Sequence, residues 1–454
     1  DLKKARENCD LMLGLVSSKE IVNLTKMGGL DMSKPSSGVL KFLKKLRGSK
    51  NKVTGGEKQM AILRQIPKVL KFIPGKAQDL RAYFLSMQYW LAGSEENIES
   101  LFCYLLSRYS SLQHSGKMEI KSPIEYPETG LYHPNLPRKI TEKISEVPRV
   151  KNSIGTVGLL LMRSYVLSGD TAHYDEVIRS LEAQGLNVFP AFAAGLDARP
   201  AINKFFMSNA KASIDVFLSL TGFSLVGGPA YNSSKEAEEA LAQLDVPYIA
   251  AHAIEFQNLN QWDKSDGGLN PIETTILVSL PELDGATNPT IFGGRLGEEG
   301  GCSCCQHLRT GQERVFDMVP CYERIKSLSE KSSRLVRLKR KENAEKKVGI
   351  ILYGFPPNAG SIGTAAYLSV FESLYNVLKS MKDEGYEVEL PKSTDELREA
   401  VLSGNSERYG QEANVIERVN GTEIVQNEPY LKEIEEVWGS APGKIQSDGT
   451  GVFI

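Results

Sequence analysis

Residues 157–190 read VGLLLMRSYVLSGDTAHYDEVIRSLEAQGLNVFP, and this stretch decides the fold. A continuous apolar run, VGLLLMRSY, leaves into a polar loop, and HYDEVIRSLEAQ then places apolar residues at helical spacing. Gly185 stops that helix and LNVFP begins a second apolar run. Apolar strands without a polar alternate are buried on both faces, which is the mark of a parallel sheet between two helical layers. The same order of strand, loop, helix, glycine and strand recurs in VGIILYGFPPNAGSIGTAAYLSVFESLYNVLKSMKDEGYEVELP, residues 348–391. Between the two units, ASIDVFLSLTGFSLVG, VPYIAAHAI and ETTILVSLPEL read as further strands and turns of the first. The fold class is therefore α/β and multidomain, with parallel-sheet α/β domains and a helical segment.

Working outward, residues 1–32 read as helix, strand, loop and helix, with Gly28 and Gly29 as a helix C-cap, the tail of an N-terminal α/β domain. Residues 33–112 are helical by period; Gly93 ends one helix, and Ser94 with Asn97 begins the next. Residues 113–153, rich in Pro, Gly and charge, read as an extended linker. The first α/β domain then spans 154–321, a basic connecting helix 322–347, and a truncated second α/β domain 348–454. The stretch KSSRLVRLKRKENAEKK, residues 331–347, sets eight Lys or Arg against two Glu, which fits either a solvated helix face or a docking surface for an acidic partner. The chain begins on Asp1 inside a helical pattern and stops on the β-prone GVFI, so a longer protein is expected to continue on both sides. Hydrophobic residues at 41% and charged residues at 24% are ordinary for a globular protein, and a net charge of −2 offers nucleic acid no basic field. No apolar run reaches the roughly 20 residues that span a bilayer, and six cysteines in 454 residues are no disulfide framework.

Several segments, in the same order along the chain, resemble the large subunits of the magnesium and cobalt chelatases: PKVLKFIPGKAQDLRAYFLSMQYWLAGS (67–94), SLTGFSLVGGPA (219–230), LPELDGATNPTIFGGR (280–295) and YGFPPNAGSIGTAAYLSVFESLYNVLKSMKDEGYEVELP (353–391). The first is more similar to the magnesium enzymes, and ATNPTIFGGR with the cysteines after it is similar to the bacteriochlorophyll-type H subunits. The resemblance implies a porphyrin-binding subunit that holds protoporphyrin IX while Mg²⁺ is inserted, in the bacterial cytoplasm or the plastid stroma. It also implies two partners, the I subunit (an AAA+ ATPase) and the D subunit, with ATP hydrolysed by I. The family's later His-Gly-Ser-Leu-Glu-type motif is absent here, since none of the five histidines precedes Gly. A cobalt chelatase large subunit and a non-catalytic tetrapyrrole-binding or signalling relative are the alternatives.

Metal insertion needs an apolar pocket for the flat macrocycle, a base for two pyrrole protons, and removal of water from Mg²⁺, which dehydrates reluctantly and prefers oxygen ligands. That reluctance is a physical reason for coupling to ATP. The chain has no G-x-x-x-x-G-K-[ST], so any P-loop ATPase is another protein. Phe355, Pro356, Asn358, Gly360, Gly363 and Thr364 form a strand-to-helix loop, read either as a rigid connection or as a porphyrin wall, with a helix beginning near Thr364 receiving a propionate. Gly222 is expected in another wall or simply in a turn. His173 is read as a base or an axial contact to a ring metal, or as an ordinary helix-start residue beside Asp170 or Thr171. Glu282, with Asp284, follows the expected strand TTILVSL and is either an Mg²⁺ ligand and proton acceptor or part of a PELDG turn. Cys302, Cys304 and Cys305, with His307 and Cys321 beyond, suggest a redox-sensitive loop or a soft-metal site for Zn or an iron–sulfur cluster.

Overall fold

The computed structural model describes residues 2–15, 18–33, 65–110, 119–227, 232–305, 314–352, 364–365, 368–402, 418–439 and 451–453. The chain divides into two compact units, residues 1–339 and 340–454. No described helix is long and apolar enough to cross a membrane.

The first unit is built on an eight-stranded sheet. In chain order its strands are β1 (Thr129–Tyr132), β2 (Ile140–Thr141), β3 (Gly155–Met162), β4 (Leu186–Ala193), β5 (Val216–Ser219), β6 (Tyr248–Asn258), β7 (Thr287–Arg295) and β8 (Met318–Pro320). Across the sheet they run β8-β7-β6-β5-β3-β4-β1-β2. Strands β4-β3-β5-β6-β7 are mutually parallel, while β8 and the β1/β2 pair add antiparallel edges. The parallel core thus has the doubly wound order 2-1-3-4-5, whose direction of winding reverses between β3 and β5. Residues 113–153, expected as linker, therefore supply β1 and β2. The pairing of β1 with β4 is a long-range contact that local composition does not encode, and β2 then pairs with β1.

The two faces of the sheet bury alternate residues, as pleating requires. Val157, Leu159 and Leu161 of β3 face Tyr174, Val177, Ile178 and Leu181 of helix α3 (Ala172–Ala183) and Ile325, Leu328 and Val336 of helix α5 (Tyr322–Arg340). Leu160 and its counterparts Phe189, Ala191 and Phe217 face Phe205, Phe206 and helix α4 (Ser234–Leu244). Each fully buried Leu or Phe contributes about 2–3 kcal/mol, so this double burial explains the continuous apolar runs. Helix α5 is the expected basic helix; one stripe of it (Ser329, Ser332, Ser333, Val336) is buried.

Helices α1 (Lys76–Ala92) and α2 (Glu95–Tyr109) have a core of their own, shared with Met27, Leu30 and Met32. Gly93 ends α1 with a left-handed φ of 65°, and Ser94 starts α2 by accepting the Asn97 N–H at 3.3 Å, both as read from sequence. Gly28 and Gly29 instead form the turn between two short antiparallel strands, Lys26–Met27 and Leu30–Asp31. Gly28 has φ +54°, and a Cβ there would lie 2.8 Å from the Asp79 carboxylate, so close approach as well as conformation asks for glycine.

The run TTILVSLPEL, expected as a strand, is helical over 271–283. Asn270 caps it by accepting the Glu273 N–H at 2.9 Å, and Pro271 occupies the first helical position. The Glu273 carboxylate is buried and accepts the Phe256 and Gln257 N–H groups at 3.0 and 3.2 Å, tying the helix to the end of β6. The cap signal Asn-Pro-x-Glu was present in the sequence, and it outweighs the β-branched composition.

In the second unit, helix α6 (Val370–Asp383) begins from Ser369, not near Thr364. Thr364 pairs antiparallel with Ser369, so its backbone is extended and cannot cap that helix. Residues 348–352 and 386–391, expected as strands, carry no strand pairing.

Candidate functional site

A cleft of about 500 Å³ opens at the carboxyl ends of β3, β4 and β5. This is the switch point of the parallel core, where neighbouring crossovers diverge and leave a crevice for ligands. Strand β3 supplies Leu160, Leu161 and Met162, the segment after β4 supplies Leu196 and Asp197, and the segment after β5 supplies Thr221 and Phe223. Trp90 and Gly93 come from the end of α1. Trp90 and Leu196 are 51% and 50% exposed, so the cleft offers apolar surface to solvent.

Its polar groups are few and held. The Arg163 guanidinium donates to the carbonyls of Pro127 at 3.2 Å and Tyr126 at 3.3 Å. Asp197 receives a two-pronged contact from Arg199, at 2.9 and 2.7 Å. Tyr165 lines the cleft and donates its hydroxyl to Glu255 of β6, whose carboxylate also lies 3.7 Å from Arg295. Burial first, and then the Glu255 carboxylate, push the Tyr165 hydroxyl well above its ordinary range, so Tyr165 remains a donor.

Gly222, between two cleft residues, adopts φ +75°, and a Cβ there would meet Leu277 at 3.0 Å. His173 lies in α3 and is fully buried. Its ring stacks on Phe292 at 5.8 Å and 13° and lies 3.9 Å from the Tyr174 ring. Neither ring nitrogen has a hydrogen-bond partner, and burial pulls its pKa down to about 3. Such an imidazole is a neutral aromatic core residue, reached from no described cleft. Glu282 is exposed at the rim of a second hollow of about 200 Å³ that also contains His252, Val278 and Asn288. His252 is likewise buried and unpartnered, with its pKa lowered by burial to about 3. Asp284 is not a free ligand: its Oδ2 accepts the Leu225 N–H at 2.8 Å, which fastens the turn after β5. Phe355, Pro356, Asn358, Gly360, Gly363 and His307 lie outside the described residues.

The structure brings Cys321, at the end of β8, to Cys302, Cys304 and Cys305, so that all four Sγ atoms lie within 4.8 Å of one another. Cys302 donates to Cys321 at 3.5 Å, which pulls the Cys321 thiol down to about 6. Sequence reasoning missed Trp90, Tyr165, Glu255 and Phe223. They come from separate elements, and nothing in their local spacing marks them.

Fold and cleft together define a doubly wound α/β protein with an open crevice at its switch point. Residues 87–454 match the family described as CobN/Magnesium Chelatase, and residues 1–84 match a domain of unknown function. The chain belongs to the CobN/magnesium chelatase family. Over its whole length it is 56% identical to the H subunit of the magnesium chelatase of Cereibacter sphaeroides, of which it covers 38%. It is 34% identical to the chloroplastic ChlH subunit of the magnesium chelatase of Oryza sativa, again over the whole chain and 33% of that protein. The aerobic cobaltochelatase subunit CobN of Pseudomonas aeruginosa is 29% identical over 70% of the chain and 24% of its own length. The catalytic subunit of cobaltochelatase from Mycobacterium tuberculosis shares the fold, with a TM-score of 0.57 at 21% identity over 82% of this chain and 30% of that one. The chain thus spans little more than a third of the magnesium-type relatives it matches.

Proposed function

We propose that this chain is the part of a magnesium chelatase H subunit that binds protoporphyrin IX while Mg²⁺ is inserted. The observation that carries the reading is the cleft at the β3/β5 switch point. Its volume, about 500 Å³, lies in the range of small-molecule sites, and its walls are mostly apolar with a few held polar groups. A flat macrocycle gains about 25 cal/mol for each Å² of apolar surface it removes from water. Trp90 and Phe223 supply aromatic faces, and stacking adds about 0.5–1.5 kcal/mol per ring pair. Glu255, which accepts from the cleft residue Tyr165 and lies 3.7 Å from Arg295, is our candidate for the carboxylate that accepts pyrrole protons and replaces water on Mg²⁺ with its own oxygen. Energy for dehydrating Mg²⁺ comes from ATP on a partner, for which the I and D subunits are the candidates. We also propose, from its sequence alone, that the Phe355–Thr364 loop contacts porphyrin.

The test is Trp90→Ala beside Phe223→Ala, with protoporphyrin IX binding followed by fluorescence quenching and folding by circular dichroism. A Kd about tenfold weaker for each is expected, since 1.4 kcal/mol is a factor of ten. Unchanged affinity in folded variants removes the cleft from the site. The higher identity to magnesium-type than cobalt-type relatives favours the porphyrin over a corrin. A competition titration between the two ligands checks that preference.

A further inference from the structure

We infer that Asp284 and Leu277 are positioning residues for the cleft: they hold the turn after β5, and through it the segment after β4, at the separation that the porphyrin ring needs. The inference rests on the porphyrin reading of the cleft and adds the residues that set its width.

The turn after β5 carries Thr221, Phe223, Ser224 and Leu225 into the cleft. Segments at strand ends are ordinarily the mobile part of such a site, so a wall built from one needs a support. The Leu225 peptide is where three pieces of chain meet. Its N–H donates to Asp284 Oδ2 at 2.8 Å, and its carbonyl accepts the Ala198 N–H at 2.9 Å. The Gly227 N–H donates to the Leu196 carbonyl at 2.8 Å. Leu196 and Ala198 belong to the wall that follows β4. One carboxylate therefore supports both walls, and it does so from behind, since Asp284 does not line the cleft.

The chemistry of Asp284 points the same way. It is 2% exposed, and its Oδ1 has no hydrogen-bond partner. The polar groups that act on it are neutral: the side chains of Ser224, Asn232 and Tyr248. Burying a carboxylate without a counter-charge is unfavourable, and burial raises its pKa above the usual carboxylate range. What this residue supplies in return is an acceptor at the back of the cleft wall.

The second support is steric. Gly222 adopts φ +75°, and a Cβ there would lie 3.0 Å from Leu277 Cδ2, so the turn packs directly on the Leu277 side chain. Leu277 lies within Thr274–Ser279, where the helix over 271–283 takes π-helical winding, a rare form that recurs at functional sites. Glu273 fixes that helix to the end of β6. Support thus runs from β6 through Glu273 to the helix, and from the helix through Leu277 and Asp284 to the turn that carries Phe223.

The experiment is a double-mutant cycle in the whole chain, with protoporphyrin IX binding read by fluorescence quenching and folding by urea unfolding. Asp284→Ala should weaken binding about tenfold and Leu277→Ala about threefold. Asp284→Asn keeps an oxygen that can accept the Leu225 N–H, and it should bind within about twofold of the parent. In the Phe223→Ala background, Asp284→Ala should add less than about twofold, because residues that act through one another are not additive. Rescue by Asn and this loss of additivity are outcomes that a general loss of stability does not produce. Losses that multiply in the double variant, no rescue by Asn, or parent affinity in folded Asp284→Ala would each overturn the inference. If Asp284→Ala does not fold, parent affinity in Leu277→Ala overturns it instead. Weaker binding by Phe223→Ala with none by Asp284→Ala removes this inference alone, whereas unchanged binding by Phe223→Ala removes the cleft reading and this inference with it.

Discussion

Replacing His173 by Phe is expected to make the protein less acid-sensitive, by an amount the structure sets. The His173 imidazole is buried against Tyr165, Tyr174 and Phe292 without a hydrogen bond, and burial alone lowers its pKa from 6.5 to about 3. In the unfolded chain the same ring titrates near its ordinary value. Between pH 6.5 and 3 the unfolded state therefore binds the extra proton, and stability falls as pH falls through that window. At pH 7.5 the effect is close to nil. At pH 5.0, linkage makes the loss about 2 kcal/mol for His173 and about the same for His252, whose pKa is also lowered to about 3. Total stabilities are only about 5–15 kcal/mol, so the loss is easily measured. Burial raises Asp170 and Asp284 above the usual carboxylate range, and these act in the opposite direction, but parent and variant share them. The assay is urea unfolding of parent and His173→Phe at pH 7.5 and 5.0, followed by tryptophan fluorescence. The parent should lose about 2 kcal/mol more than the variant between the two pH values. Parallel losses would refute the argument that this imidazole is kept neutral by burial.

Two further substitutions test the sheet and its connection to the helical segment after β6. Gly158→Val would place a Cβ 2.8 Å from Ile214 and 3.1 Å from the Phe206 ring; overpacking should cost about 1–3 kcal/mol and lower the thermal midpoint, and an unchanged midpoint would show that this face is loosely packed. Glu273→Ala leaves the Phe256 and Gln257 N–H groups and the Asn270 amide without their carboxylate; a loss of about 2–3 kcal/mol in urea unfolding is expected, whereas Glu273→Gln should recover part of it, and equal stability of all three proteins would show that water replaces the carboxylate freely.

What could be read from the sequence was local. The run from Val157 to Pro190 declares a buried parallel strand, a helix and a second strand, because burial on two faces leaves no polar alternate. Gly93 and Ser94 announce a helix end and a helix start, because caps act within one turn. Where local signals conflict, composition misleads: TTILVSL is β-branched, but Asn270 and Pro271 start a helix and Glu273 anchors it to β6. The place of Thr364 depended on pairing with Ser369, which no helical period reports. The cleft required the strand order, since the reversal between β3 and β5 brings Met162, Leu196 and Phe223 around one space, which Trp90 of α1 also lines. The fourth thiol required it too. Cys321 reaches Cys302 because β8 pairs with β7 at Gly293 and Gly294, and that register is set by packing over distances no sequence window spans.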